Sequence, residues 1–292
     1  MLPIAKVCVT RCEVPMLIRL AMKLSELSPR FKKLLWRRWY QYLAGYKMAD
    51  WQFMNYGYAS LDASEEPVLH PDDEPNRYAI QLYRRVARAV ELKGREVLEV
   101  GCGRGGGSSF ITRSHHPKQM TGVDFSARAI RFCRENHRID GLSFVHGDAE
   151  ALPFGDESFD AIINVESSHC YGSMPAFLLE VTRILRPGGH FLFADLRSTE
   201  DRERLHGQLL ETGMAILETQ DITPNVLEAL RQDSERRLAL IERSANKRLI
   251  GTFREFAAIV GSDVFDGFKN GSATYVRYVL QKQKTQRATW CH

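Results

Sequence analysis

The sequence predicts an α/β fold built on an open, mostly parallel sheet, and three observations carry that reading. Val97-Leu98-Glu99-Val100 is an apolar, β-branched run that passes at once into Gly101, Gly103, Gly105, Gly106 and Gly107 and then into a helix-like segment. Residues 142–146 and 158–165 are further apolar runs, the second continuous enough for a strand buried on both faces. Arg183-Ile184-Leu185-Arg186-Pro187-Gly188-Gly189 closes a helix and opens another strand over residues 190–195. Strands alternating with helix-length patterns indicate parallel βαβ units.

The elements follow in chain order. Ser28-Pro29 suits a helix start, with serine as cap and proline at the first helical position. Phe31, Leu34, Leu35, Trp39, Tyr42, Leu43 and Tyr46 then recur at helical spacing, which predicts one apolar stripe. Trp51, Phe53, Tyr56 and Tyr58 follow it, so the segment reads as a cover over an apolar substrate pocket. A second helix is expected over residues 76–92, stopped by Gly94. After Asp195 the pattern turns helical, over 224–247 and 248–260. Residues 196–251 are therefore expected to form an inserted helical lid. Residues 275–280 read as a last strand, antiparallel and at the sheet edge. The expected division is 1–89 for an N-terminal helical extension, 90–195 for a cofactor-binding core, and 196–292 for the lid and closing strands.

Composition narrows the function. The 292 residues, 44% hydrophobic and 10% aromatic, suit one domain with elaborations. Six cysteines without a secretory signal point to a reducing, cytoplasmic setting. Cys8 and Cys12 have the spacing that opens a radical-type iron–sulfur motif, but Pro15 stands where the third cysteine belongs. No histidine or cysteine group has zinc spacing, so no metal is expected. The net charge of +4 is unevenly placed: residues 1–50 hold ten Lys/Arg against three Asp/Glu, and the rest of the chain holds thirty against thirty-three. That balance does not call for nucleic acid. A basic arm suits an anionic membrane surface or an anionic substrate, and self-association stays open.

The chemistry starts at the glycines. Gly101 and Gly103 let the backbone turn sharply and approach a ligand where a Cβ would collide with it. The following helix start offers unpaired N–H groups. Such a turn serves a dinucleotide pyrophosphate or the amino-acid end of S-adenosylmethionine, and the glycine spacing fits both. Asp124 ends the second strand about twenty residues on, where a carboxylate accepts from ribose hydroxyls of either cofactor. Gly147-Asp148-Ala149-Glu150-Ala151-Leu152-Pro153-Phe154 favours S-adenosylmethionine, with Asp148 suited to the adenine amino group.

Together with Ser158-Phe159-Asp160 and Leu185-Arg186-Pro187-Gly188-Gly189, these motifs resemble class I S-adenosylmethionine-dependent methyltransferases over residues 96–195. The resemblance implies a Rossmann-like, mostly parallel seven-stranded sheet with an antiparallel last strand. It implies a cofactor site of Glu99, Gly101, Gly103, Gly105, Asp124, Phe125, Asp148, Ala149, Asn164 and Val165. Phe53-Met54-Asn55-Tyr56-Gly57-Tyr58, Asp73-Glu74-Pro75-Asn76-Arg77, Asn164-Val165-Glu166-Ser167-Ser168-His169-Cys170-Tyr171 and residues 275–281 are similar to the phthiotriol/phenolphthiotriol dimycocerosate methyltransferase family, which O-methylates very apolar lipids.

Ligands of open α/β sheets lie across the C-terminal strand ends, so the residues after the fourth strand face the reacting methyl. His169 is the expected general base, because imidazole titrates near physiological pH, with Glu166 orienting it or acting as a base itself. The expected acceptor pocket contains Trp39, Tyr42, Tyr46, Phe53, Tyr56, Tyr58 and Tyr171. Two reactions fit: methylation of a hydroxyl on a large lipid- or polyketide-like acceptor, or C-methylation of an isoprenoid alkene through a carbocation steadied by aromatic faces.

Overall fold

Alternation along the central strands sets the architecture. Val97, Met120, Ala161, Ile163 and Ala194 bury into one apolar cluster, and Leu98, Val100, Val123, Ile162 and Phe193 into another. Successive side chains of a strand point to opposite faces, so this sheet has two apolar faces and needs a helical layer on each. The structure, a computed structural model, describes residues 51–284 except 63 and 65. The expected aromatic stripe, with Trp39, Tyr42 and Tyr46, lies outside the described residues.

The strands are β1 (Glu96–Val100), β2 (Gln119–Asp124), β3 (Leu142–His146), β4 (Phe159–Val165), β5 (Leu185–Ser198), β6 (Ala215–Asp221) and β7 (Ala273–Gln281). They form one seven-stranded sheet in the order β3-β2-β1-β4-β5-β7-β6. Strands β1–β5 run parallel to one another, and β7 runs antiparallel to both β5 and β6. The helices are α1 (Arg77–Ala87), α2 (Gly106–His115), α3 (Ala127–Asn136), α4 (Met174–Ile184), α5 (Thr199–Glu211), α6 (Thr223–Ser244), α7 (Ile250–Phe256) and α8 (Asp263–Asn270). Residues of α1, α2, α6 and α8 pack on the first face, those of α4 and α5 on the second. Serine side chains cap four helix starts, Ser126, Ser173, Ser198 and Ser262 each accepting from the N–H three residues on.

Two expectations are corrected. Residues 196–251 are not a purely helical insertion, because 215–221 form β6. That strand pairs on one side only and is largely exposed, so its sequence lacks the apolar alternation that marks a half-buried strand. The last strand is antiparallel, but it inserts between β5 and β6 instead of lying at the edge. Its continuous burial from Thr274 to Leu280 is the mark of that central place. No helix among the described residues is long and apolar enough to cross a membrane.

Candidate functional site

The strand order reverses between β1 and β4, and an open α/β sheet forms its binding crevice at such a point. A cleft lies there, with Gly101, Gly103, Asp124, Asp148, Val165 and Glu166 on its walls. Gly101 and Gly103 carry φ of 77° and 52°, the left-handed region that suits glycine. A Cβ on Gly101 would stand 2.4 Å from Ser167 Oγ, so this turn and the loop after β4 close on each other only without a side chain there.

Asp124 sits at the end of β2. Its two carboxylate oxygens accept one backbone N–H each, from Gly103 at 2.9 Å and Ser126 at 2.8 Å. A carboxylate has about four acceptor positions, so two remain for a pair of vicinal hydroxyls in the cleft. Burial disfavours the charge and raises Asp124 to about 6, against the lowering effect of those two hydrogen bonds. Ribose donors would favour the ionised form further. Phe125, Asp148 and Ala149 share this wall. The residues present therefore fit a nucleoside cofactor: Asp124 for ribose, Asp148 and Phe125 for the base, and the Gly101–Gly103 turn for the amino-acid end.

Three expected cofactor residues lie behind the wall instead. Glu99 is fully buried; it accepts from Tyr83 Oη at 2.6 Å and from Ser108 Oγ, tying β1 to α1 and α2. Burial raises its carboxyl to about 7, with the two hydroxyl bonds pulling the other way. Asn164 is also buried, its Nδ2 within hydrogen-bond distance of the Val100 carbonyl and Ser167 Oγ at 2.9 and 2.8 Å. It braces the loop that does line the cleft. Gly105 is the N-cap of α2 at φ 79°, where a Cβ would press on His137, Phe144 and Cys133. Its glycine is required by packing. Arg104 is buried with its guanidinium 3.7 Å from the Phe132 ring and Nε donating to the Trp51 carbonyl, so it fastens the segment before α1 to the glycine turn.

The opposite end of the cleft is made by the loop after β4. Glu166, Ser167, Cys170 and Tyr171 line it; His169 is not among the lining residues, but its ring is hydrogen-bonded to the side chain of Cys170, which is. His169 Nδ1 lies 2.8 Å from Asp195 Oδ1, and the His169 backbone N–H donates to Asp195 Oδ2 at 3.0 Å. Asp195, fully buried near the C-terminal end of β5, also receives Ser168 Oγ–H and stands 3.0 Å from the Arg197 guanidinium. Burial alone would raise Asp195, but Arg197 and His169 hold it well below the usual carboxylate range. Burial works to lower His169; Cys170 and Asp195 outweigh it and raise the imidazole to about 10. The orienting carboxylate is thus Asp195. Sequence reasoning assigned that place to Glu166, and the acidic residue closing the apolar run Phe191-Leu192-Phe193-Ala194 was the available signal.

Glu166 has φ 49°, a strained conformation for a side-chain-bearing residue. Its Oε2 accepts the Tyr56 backbone N–H at 2.8 Å and Tyr275 Oη–H at 2.9 Å. Burial raises it to about 8, against these bonds and the nearby His169. Of the expected acceptor aromatics, Phe53 and Tyr171 face the cleft. Tyr56 packs edge-on to Phe268 in the main core, and Tyr58 packs against the same core. Neither lines the cleft, and their backbone N–H groups donate to Glu166 and to the Tyr78 carbonyl.

This geometry matches known proteins. The methyltransferase-domain family matches residues 98–193. Phthiotriol/phenolphthiotriol dimycocerosates methyltransferase of Mycobacterium tuberculosis is 40% identical over 251 residues, covering 86% of this chain and 93% of that protein. A fatty-acid O-methyltransferase of Mycolicibacterium smegmatis is 42% identical over 196 residues, 67% of this chain and 71% of that one. Geranyl diphosphate C-methyltransferase from Streptomyces coelicolor, crystallised with S-adenosyl-L-homocysteine, shares the fold at a TM-score of 0.60 and 16% identity, over 86% of this chain and 97% of that chain. The chain belongs to the phthiotriol/phenolphthiotriol dimycocerosates methyltransferase family, and it is an S-adenosylmethionine-dependent methyltransferase.

Proposed function

We propose that the enzyme transfers the methyl group to a hydroxyl oxygen of a large apolar, lipid- or polyketide-like acceptor. The observation that carries this is the His169–Asp195 pair beside the acceptor end of the cleft. When bound, S-adenosylmethionine supplies an electrophilic methyl and its own leaving group, so the protein has to position the acceptor and remove its proton. With Nδ1 held by Asp195 and the ring also hydrogen-bonded to Cys170, whose side chain lines the cleft, His169 takes up the hydroxyl proton, and the buried carboxylate steadies the resulting imidazolium. Ser168 and Arg197 fix Asp195, and Glu166 shapes the wall next to the base. The names of the similar enzymes, a phthiotriol methyltransferase and a fatty-acid O-methyltransferase, support an oxygen acceptor on a lipid-like molecule.

A second reading is methylation of a carboxylate. The raised His169 favours it, since an imidazolium holds an acceptor anion and such an acceptor needs no base. C-methylation has less support, because Tyr56 is engaged in the core and, among the described residues, the aromatic rings at the cleft are those of Phe53, Tyr83, Phe125 and Tyr171. The test is turnover of S-adenosylmethionine with matched long-chain alcohols and acids across pH. A hydroxyl acceptor gives a rate that rises with pH toward the His169 value and collapses in His169→Gln. A rate on the acids alone that holds across neutral pH and falls as His169 loses its proton selects the carboxylate, and methyl carried on carbon rejects both.

A further inference from the structure

A second cavity adjoins the first. Residues 51–59 cross the molecule as a strap: Arg104 holds the Trp51 carbonyl, Tyr56 N–H bonds Glu166, Arg237 Nη2 donates to the Asn55 and Tyr56 carbonyls at 3.1 and 3.0 Å, and Ala59 and Asn225 bond each other. The cofactor cleft lies on one side of this strap. On the other side is a groove walled by Trp51, Ala79, Leu240, Ile241, Phe253 and Ala257. Phe53, Met54 and Asn55 line both cavities. The two spaces are thus separated by three consecutive residues, two of them apolar.

We propose that this groove seats the apolar chain of the acceptor while its reacting oxygen lies in the cofactor cleft. This rests on the lipid-like oxygen acceptor argued above. The groove adjoins the cleft across Phe53, Met54 and Asn55, which line both, and its own wall is largely apolar. Most of its wall comes from α6 and α7, which contribute nothing to the cofactor cleft, while α1 and the strap border both spaces. Arg236 and Arg237, which also border it, both bond the buried Asp233, at 2.6 and 2.8 Å, so their guanidiniums brace α6 and the strap beside an apolar surface. A chain laid there is selected by length, at about fourfold in affinity per methylene buried, from the ~0.8 kcal/mol that each contributes.

The experiment compares wild type with Leu240→Trp and Ala257→Phe, which fill the groove. KM is measured for straight-chain alcohols and acids of rising length, alongside cofactor affinity and melting temperature. Wild-type KM should fall as the chain lengthens; in the variants that gain should stop at a shorter chain, with turnover of the shortest acceptors and cofactor affinity unchanged. A second arm needs no turnover: a brominated long-chain fatty acid should quench Trp51 fluorescence, and Trp51→Phe should lose that quenching. If no acceptor is methylated but Trp51 is quenched, the oxygen-acceptor reading fails and the groove stands. Turnover with a KM indifferent to chain length and to the filling variants overturns the groove and leaves that reading intact. Absent quenching in wild type overturns the proposal, whatever the filling variants do to the melting temperature.

Discussion

The two halves of the cleft are built in opposite ways. The cofactor half joins residues near in sequence: Asp124 bonds Gly103, 21 positions away, and Ser126, two away. Its working surface is largely backbone in conformations that glycine permits. The acceptor half joins distant segments: Glu166 is bonded by Tyr56 and Tyr275, 110 and 109 positions away, and His169 by Asp195 across 26. Its working surface is side chains, several of them ionisable and shifted by burial. A local, backbone-built half serves one cofactor; a half assembled from separate elements changes its acceptor without disturbing the first.

That division makes the halves separable by mutation. The largest expected effect is His169→Gln, which should lower kcat ~10²-fold or more on a hydroxyl acceptor while calorimetric cofactor affinity stays unchanged. Gly101→Ala should lower cofactor binding and also disturb the acceptor loop, because its Cβ meets Ser167 and Tyr171. Its Cβ, at φ 77° and 2.4 Å from Ser167 Oγ, introduces strain and overpacking of about 1–3 kcal/mol, read as a loss of cofactor binding. Asp124→Ala should weaken cofactor binding by ~1–3 kcal/mol, with acceptor KM little changed, measured by the same titration. Arg237→Leu frees the strap from α6 and should raise acceptor KM by about fivefold, near 1 kcal/mol, leaving cofactor affinity alone. Equal losses of both affinities in His169→Gln, Asp124→Ala or Arg237→Leu would mean that the halves act as one unit.

The pH profile tests the acceptor half directly. A base works when deprotonated, and Asp195 and Cys170 keep the proton on His169 up to about 10. Turnover of a hydroxyl acceptor should therefore climb across the alkaline range, about tenfold per pH unit below that value, without a plateau near neutrality. Glu166, at about 8, ionises within this range and adds a negative charge beside His169, which flattens the lower part of the rise. Asp195 stays ionised throughout. Asp195→Asn removes the charge that raises His169, so its profile should move toward neutral pH as maximal turnover falls.

The same contrast explains what the sequence reveals. The glycine turn, Asp124 and Asp148 are legible because each is fixed by a strand end and a turn within one βαβ unit. The sheet is legible except for β6, whose single-sided pairing leaves no apolar alternation. Asp195 is hidden because its partner comes from another strand's loop, and an acidic residue after a buried run resembles any strand end. Glu99 was assigned to the cofactor by motif, yet its bonds go to Tyr83 and Ser108, a choice made by how α1 and α2 pack. Tyr56 and Tyr58 were read as pocket aromatics from their density; which way an aromatic faces is set by the core it meets, here Phe268 and its neighbours.

The place of β7 carries a consequence for biogenesis. Its residues are the last described strand to be synthesised, yet they sit between β5 and β6, and β6 has no other partner in the sheet. While the nascent chain is still growing, β1–β5 can assemble with the cofactor turn, but residues 215–221 leave the ribosome with both edges open. The Tyr275 hydroxyl that completes the Glu166 environment arrives with the same late strand. The protein should thus gain a nucleoside-binding half before it gains an acceptor site, and the interval between the two is when an unpaired β6 is most exposed to misassembly.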